Sequence, residues 1–376
     1  MFGKRIYLFK ILGFAVSIDT SWFIIAAIIT WSLAKGIFPA RFEGFSSQTY
    51  WLMGAAGALG LFGSIIFHEL CHSIVARQYG IPMKGITLFI FGGVAEMKDE
   101  PPSPKAEFLM AIAGPISSVM LGLVLYFVWR TGRQAGWPMP LNGVVGYLSW
   151  LNLMLAGFNM VPAFPLDGGR VLRSILWAVK KNLRWATRIA SRLGSWFGIF
   201  LIVVGVISAI NNDLWGGVWC FLISMFLRRA SQMSYQQLVI RRGLEGEQIR
   251  HFMRTDPITV PPSISLGELV ENYFYRYHFR IFPVVQDGLL TGCITSQQVK
   301  EVPREQWDQT TVAQVAARCS PQTTIGPDAD AMRALSLMNQ TGNSSLMVVE
   351  DGLLVGVITL KDMLKFLALK IDLEKE

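Results

Sequence analysis

The segment His68-Glu69-Leu70-Cys71-His72 sets two imidazoles four residues apart, with a carboxylate directly after the first. On an α-helix, residues at that spacing share a face, so His68 and His72 can grip one metal ion. Glu69 then stands within reach of a water at that ion and can take its proton. From Trp51 to Phe67 almost every residue is apolar or glycine, and a stretch of that kind reads as membrane-spanning. Polar groups at such depth cost free energy and need a functional reason. The chemistry implied is metal-assisted hydrolysis inside a bilayer.

A catalytic zinc usually takes three protein ligands and keeps one position open. The other two histidines, His251 and His278, lie in the polar C-terminal part, which points to a carboxylate as third ligand. The candidate is Asp167, in Asn159-Met160-Val161-Pro162-Ala163-Phe164-Pro165-Leu166-Asp167-Gly168-Gly169-Arg170. Two prolines break a helix there, and two glycines let the backbone turn closely around the aspartate. Broken backbone at membrane depth survives when it is buried in protein or lines a wet cavity. Asn159, eight residues upstream, is read as a hydrogen-bond donor to a substrate carbonyl or oxyanion. Gly85 to Met97 is too short to cross as a helix. It reads as a re-entrant β-hairpin turned at Gly92-Gly93, whose edge can pair with an unwound substrate strand. Cys71 reads as a small packing residue.

These residues need a scaffold, and the composition indicates which. Of 376 residues, 52% are hydrophobic and 16% charged, with a mean hydropathy of +0.40. Soluble domains carry roughly a quarter charged residues, so a membrane protein is expected. Six spans are predicted near 20–36, 50–79, 106–129, 141–162, 187–210 and 214–229. The basic residues Lys4, Arg5 and Lys10 begin a retained first span, with no cleavage site of a signal peptide behind it. Arg170, Arg173, Lys180, Lys181, Arg184 and Arg188 follow the fourth span, and Arg228, Arg229, Arg241 and Arg242 follow the sixth. All three clusters then share one face, which places both termini in the cytoplasm of a multi-pass cell-membrane protein. The cluster after Asp167 is read as a topology signal in contact with lipid headgroups. The second and fourth spans both run inward, so their polar ends can meet. The net charge of +8 fits basic loops beside a membrane; no aromatic-basic stripe suggests nucleic acid. Four scattered cysteines give neither a disulfide framework nor a thiolate zinc site.

Beyond Arg229 the chain becomes polar and repeats itself. Phe282-Pro283-Val284-Val285-Gln286-Asp287-Gly288-Leu289-Leu290 recurs as Leu346-Met347-Val348-Val349-Glu350-Asp351-Gly352-Leu353-Leu354, with helical stretches around each copy. Strand, Asp-Gly turn and strand describe an α/β duplication. The expected organisation is a membrane domain over 1–235 and two soluble repeats over 245–305 and 306–376.

Along nearly its whole length the chain resembles the site-2 protease family of intramembrane zinc metalloproteases. The resemblance rests on His68-Glu69-Leu70-Cys71-His72, Gly92-Gly93-Val94-Ala95, Ala113-Gly114-Pro115 and the Asn159 to Arg170 segment. The tail resembles a pair of cystathionine-β-synthase-type (CBS) domains, as in the prokaryotic six-span branch. The resemblance implies zinc on His68, His72 and Asp167, with Glu69 as base. It also implies a transmembrane protein substrate among membrane-anchored regulators. CBS pairs often bind adenosine nucleotides such as ATP or AMP and often form homodimers. Thr359 and Asp362 fit their ribose-contacting Thr-x-x-Asp pattern, whereas the first copy has Gln298 in the aspartate's place. The competing reading is a divalent-cation transporter or channel with a CBS-type regulatory tail. The six spans show no repeated halves of the kind such a transporter has.

Overall fold

The computed structural model describes residues 5–89, 92–97, 100–211 and 213–373. The chain divides into two units, Met1–Gln236 and Gln237–Glu376.

The first unit holds a four-stranded sheet in the order β1-β2-β3-β4. β1 (Arg5–Ile11) and β2 (Phe14–Asp19) form an antiparallel hairpin around Leu12-Gly13, both at positive φ. β2 pairs in parallel with β3 (Met83–Phe89), and β3 pairs antiparallel with β4 (Gly92–Met97). The expected hairpin is therefore the far half of a larger sheet. Gly92 and Gly93 belong to β4 and do not make its turn; Ile90 and Phe91, between the two strands, lie outside the described residues. Gly92, at φ +124, pairs with Phe89 as β4 begins.

The helices of this unit are α1 (Trp22–Ser32), a π-helical turn over Leu33–Ile37, α2 (Phe38–Arg41) and α3 (Ser47–Gln78). Then come α4 (Pro104–Gln134), α5 (Met139–Asn159), α6 (Asp167–Lys180), α7 (Leu183–Ile210) and α8 (Leu214–Leu244), whose last residues belong to the second unit. Local sequence sets their starts. Ser46 accepts a hydrogen bond from the Thr49 N–H, Ser103 one from Ala106 with Pro104 at the first helical position, and Asn182 one from Trp185.

Among the described residues, five helices are long and apolar enough to cross a membrane: Trp22–Arg41, Ser47–Gln78, Pro104–Gln134, Met139–Asn159 and Leu183–Ile210. They correspond to the first five expected spans. The stretch 214–229 forms the first half of α8, whose second half carries Arg241 and Arg242. Small residues bring α4 and α5 close. Gly122 faces Leu153, and Ser149 Oγ donates to the Gly122 carbonyl at 2.8 Å.

In the second unit, α9 (Leu266–Leu269), a π-helical turn and α10 (Tyr275–Tyr277) precede β5 (Ile281–Gln286), β6 (Leu289–Thr295) and α11 (Ser296–Lys300). α12 (Val312–Val315), β7 (Thr324–Ile325), α13 (Ala331–Thr341), β8 (Ser345–Glu350), β9 (Leu353–Thr359) and α14 (Leu360–Leu373) complete it. The sheet order is β5-β6-β9-β8-β7. Asp287-Gly288 and Asp351-Gly352 all have positive φ, as type I′ hairpin turns require. β6 meets β9 through Leu289 and Leu353, the same position in the two copies, so a local two-fold relates them. Each copy keeps its own core, around Phe282, Val284 and Ile294 in the first and Leu346, Val348 and Ile358 in the second.

Candidate metal centre

α3 presents His68 and His72 from adjacent turns, both buried, and the first residue of α6 presents Asp167. His68 Nε2 lies 3.0 Å from Asp167 Oδ2, His72 Nε2 lies 3.2 Å from it, and the two Nε2 atoms are 3.1 Å apart. A tetrahedral zinc with bonds of about 2.0–2.1 Å places its ligand atoms about 3.3 Å apart, so the triangle has the size that ion needs. His68 and His72 of the second predicted span thus lie against Asp167, which follows the fourth.

The far side of each ring sets its tautomer. His72 Nδ1 is 2.6 Å from the Met110 carbonyl, which only accepts, so Nδ1 carries a proton and Nε2, facing Asp167, is the nitrogen placed to ligate. His68 Nδ1 is 2.8 Å from Ser118 Oγ, which can accept in the same way. Two imidazole Nε2 atoms and a carboxylate oxygen then converge, an arrangement that a shared cation would satisfy. Gly114 of α4 makes room for it. A Cβ there would lie 2.5 Å from His68 Nε2 and closer still to His72 Nε2. Among the described residues, His68, His72 and Asp167 are the one group of three or more such side chains able to share an ion.

Asp167 owes its place to the broken segment before it. Gly168 lies against the Met160 and Val161 carbonyls, and Gly169 against Ala163 and Phe164, where a side chain would overlap backbone. The Phe164 carbonyl accepts from Ser231 Oγ, and the Phe164 N–H donates to the Ala190 carbonyl at 3.4 Å. The N-terminal turn of a helix also favours a carboxylate.

Glu69 packs against β4: a Cβ on Gly93 would lie 2.8 Å from Glu69 Cγ. Asn159 is the last residue of α5, half-buried, and makes no side-chain hydrogen bond among the described residues. It immediately precedes the Met160 backbone packed on Gly168.

One expectation needs correction. Arg173 is not a headgroup contact. It is buried, donates from Nε to Glu107 Oε1 and from Nη2 to Glu100 Oε2 at 3.1 Å, and forms an ion pair with both carboxylates. α6 is a short helix packed against α4, and this arrangement turns Arg173 inward. The sequence reading also missed Ser118 and the Met110 carbonyl as partners of the histidines. Glu107, Met110, Gly114 and Ser118 fall on one stripe of α4 by helical spacing, which was the available signal.

In the second unit, Thr359 Oγ1 donates to Asp362 Oδ2 at 2.6 Å and accepts from the Asp362 N–H at 3.1 Å. Arg254 donates to both oxygens of the same carboxylate, with Nη2 2.9 Å from Oδ1. Gln298 instead closes a capping box with Thr295.

A membrane-embedded scaffold carrying this His-Glu-His and aspartate site is that of a zinc metalloprotease. Residues 56–133 and 133–204 match peptidase family M50, and residues 249–305 and 312–369 match the CBS domain. A protein of Synechocystis sp., provisionally named a zinc metalloprotease, is 33% identical over 95% of this chain and 94% of its own length. A Mycobacterium tuberculosis protein, also provisionally so named, is 31% identical over 95% and 91%. A zinc metalloprotease of Methanocaldococcus jannaschii is 29% identical over 99% and 98%. The chain belongs to peptidase family M50, the site-2 proteases, and carries a C-terminal CBS pair. The transporter reading gives way to an enzyme.

Proposed function

We propose that the protein hydrolyses peptide bonds within transmembrane segments of membrane-anchored regulatory proteins, with His68, His72 and Asp167 holding zinc and Glu69 as general base. The carrying observation is the mutual approach of the two Nε2 atoms and Asp167 Oδ2 to 3.0–3.2 Å, with Glu69 adjoining in sequence. When bound, zinc supplies a Lewis acid that makes water more acidic and polarises a carbonyl. Glu69 takes the proton of the attacking water as oxygen bonds to the scissile carbonyl carbon. It returns that proton to the leaving amine as the C–N bond breaks. Asn159 donates a hydrogen bond from its side-chain amide to the carbonyl oxygen, where negative charge develops. β4 is an edge strand beside Glu69 and pairs with the unwound substrate segment.

The Lys/Arg bias supports six spans, with both termini and the CBS pair cytoplasmic. Thr359 and Asp362 bind the ribose of an adenosine nucleotide that regulates the protease, and the CBS pair joins two chains as a homodimer. This part of the reading rests on the CBS match and the Thr-x-x-Asp pattern.

Glu69→Gln in purified protein, with zinc and a transmembrane substrate, tests the mechanism. Zinc content should be unchanged and cleavage should fall by roughly 100- to 10,000-fold. Cleavage at the parental rate removes Glu69 as base. In parallel, unchanged zinc stoichiometry in Asp167→Ala would move the third ligand elsewhere.

A further inference from the structure

Arg173 is a full positive charge buried inside the membrane unit, and its partners are unusual in where they lead. Its guanidinium bonds Glu107, fully buried on α4, and Glu100 in the segment joining β4 to α4. Its Cζ also lies 5.2 Å from the centre of the Phe164 ring, in the broken segment just before Asp167. Each partner belongs to a piece that builds the centre.

The helical geometry makes the connection specific. At about 100° per residue, Glu107, Gly114 and Ser118 lie within about 40° of one another on α4, with Met110 on the next turn. That stripe holds the Ser118 hydroxyl on His68, the Met110 carbonyl on His72 and the glycine that clears both rings. α6 contributes Asp167 at its first residue and Arg173 less than two turns later. Asp167 and Arg173 therefore reach the same neighbourhood of α4, one through the histidines and one through Glu107. A planar guanidinium that donates from Nε to one carboxylate and from Nη2 to another fixes direction as well as distance, as a lysine ammonium would not.

We infer that Arg173 is a positioning residue that locks α6 in register against α4, holding Asp167 Oδ2 at the place where both histidine Nε2 atoms point. This rests on His68, His72 and Asp167 being the zinc ligands. The lock operates through Glu107, with Glu100 and Phe164 fixing the guanidinium from its other sides.

The test uses the full chain in detergent, with zinc affinity read by chelator competition and ligand geometry by the visible absorption of the cobalt-substituted protein. Arg173→Met should weaken zinc binding by about 10- to 100-fold, the range for lost outer partners of a metal site. It should also change the cobalt bands. Arg173→Lys, which keeps the charge without the fork, should fall between Arg173→Met and the parent. The double variant Arg173→Met with Glu107→Leu removes both charges and leaves an apolar pair that can pack. It should recover thermal stability yet keep the weakened affinity and altered bands. Parental affinity and spectrum in any folded variant lacking the Arg173 fork would overturn the inference and leave the ion pair a purely structural one. A parent protein that itself bound no zinc would instead refute the ligand assignment.

Discussion

Replacing Gly114 by alanine should disable the metal centre without touching a ligand. The added Cβ would stand 2.5 Å from His68 Nε2 and nearer to His72 Nε2, whereas ordinary contact begins at 3.4 Å. The rings must therefore retreat by about 1 Å, or α4 must back away by as much and carry Ser118 and the Met110 carbonyl with it. Metal sites tolerate about 0.2 Å in their bond lengths, so at least one imidazole is lost from the set. Zinc binding by four ligands is worth roughly 10–16 kcal/mol in small zinc domains, or about 3 kcal/mol per ligand. At 1.4 kcal/mol per decade, affinity should fall by about two orders of magnitude. Chelator competition on detergent-solubilised protein measures this directly. Gly122→Ala is the control: it lies on the same helix, but its Cβ would press on Leu153. It should lower thermal stability and leave zinc affinity alone. If Gly114→Ala binds zinc within threefold of the parent, the cradle argument is wrong.

Three further outcomes separate the parts of the molecule. Gly93→Ala, crowding Glu69 Cγ at 2.8 Å and Ile65 Cγ2 at 3.0 Å, should retain zinc and lose cleavage by roughly 100-fold; equal loss of both would tie β4 to the ligands instead. In the CBS pair, burial pushes the Asp362 carboxyl up, but hydrogen bonds from Arg254 and Thr359 outweigh it and hold the group below the usual range. A depressed folded-state pKa adds stability above the unfolded value of about 3.9, and that stability fades as pH falls through the folded value. Hydrogen exchange of β9 and α14 should therefore separate Asp362→Asn from the parent at pH 7, with the gap closing below about pH 4; a gap constant to pH 3 refutes the assignment. Calorimetric titration with ATP or AMP should give binding that Asp362→Ala abolishes, and a flat trace at millimolar nucleotide would end that reading.

The proposed ligands were legible because their signals are local. His68 and His72 announce themselves by spacing alone, and Asp167 by prolines and glycines that no continuous span would carry. What surrounds them was not. The Met110 carbonyl has no residue-type signature, since any residue supplies a backbone acceptor. Gly114 was visible as a motif, but its reason, two imidazole rings, lies on another helix. Arg173 was misread because a basic residue after a span ordinarily marks topology; only the packing of α6 on α4 turns it inward. The N-terminal sheet escaped notice for two reasons. Ile6-Tyr7-Leu8-Phe9 lacks the alternation that marks a half-buried strand, and β2 finds β3 across about seventy intervening residues. Conversely, the Asp-Gly turns of the duplicated tail were readable because a two-residue hairpin depends on those two residues.

The Arg254 clamp on Asp362 bears on how the tail would sense anything at all. Its carboxylate is already occupied by an internal cation, so a sugar hydroxyl arriving there must evict a tenant before it gains a partner. Recognition at that position is then an exchange reaction, and its equilibrium is the ratio of two associations. Arg254 is about half exposed, so dissolved salt weakens the resident pair. If the tail binds a nucleotide as proposed, ionic strength would therefore also shift that equilibrium.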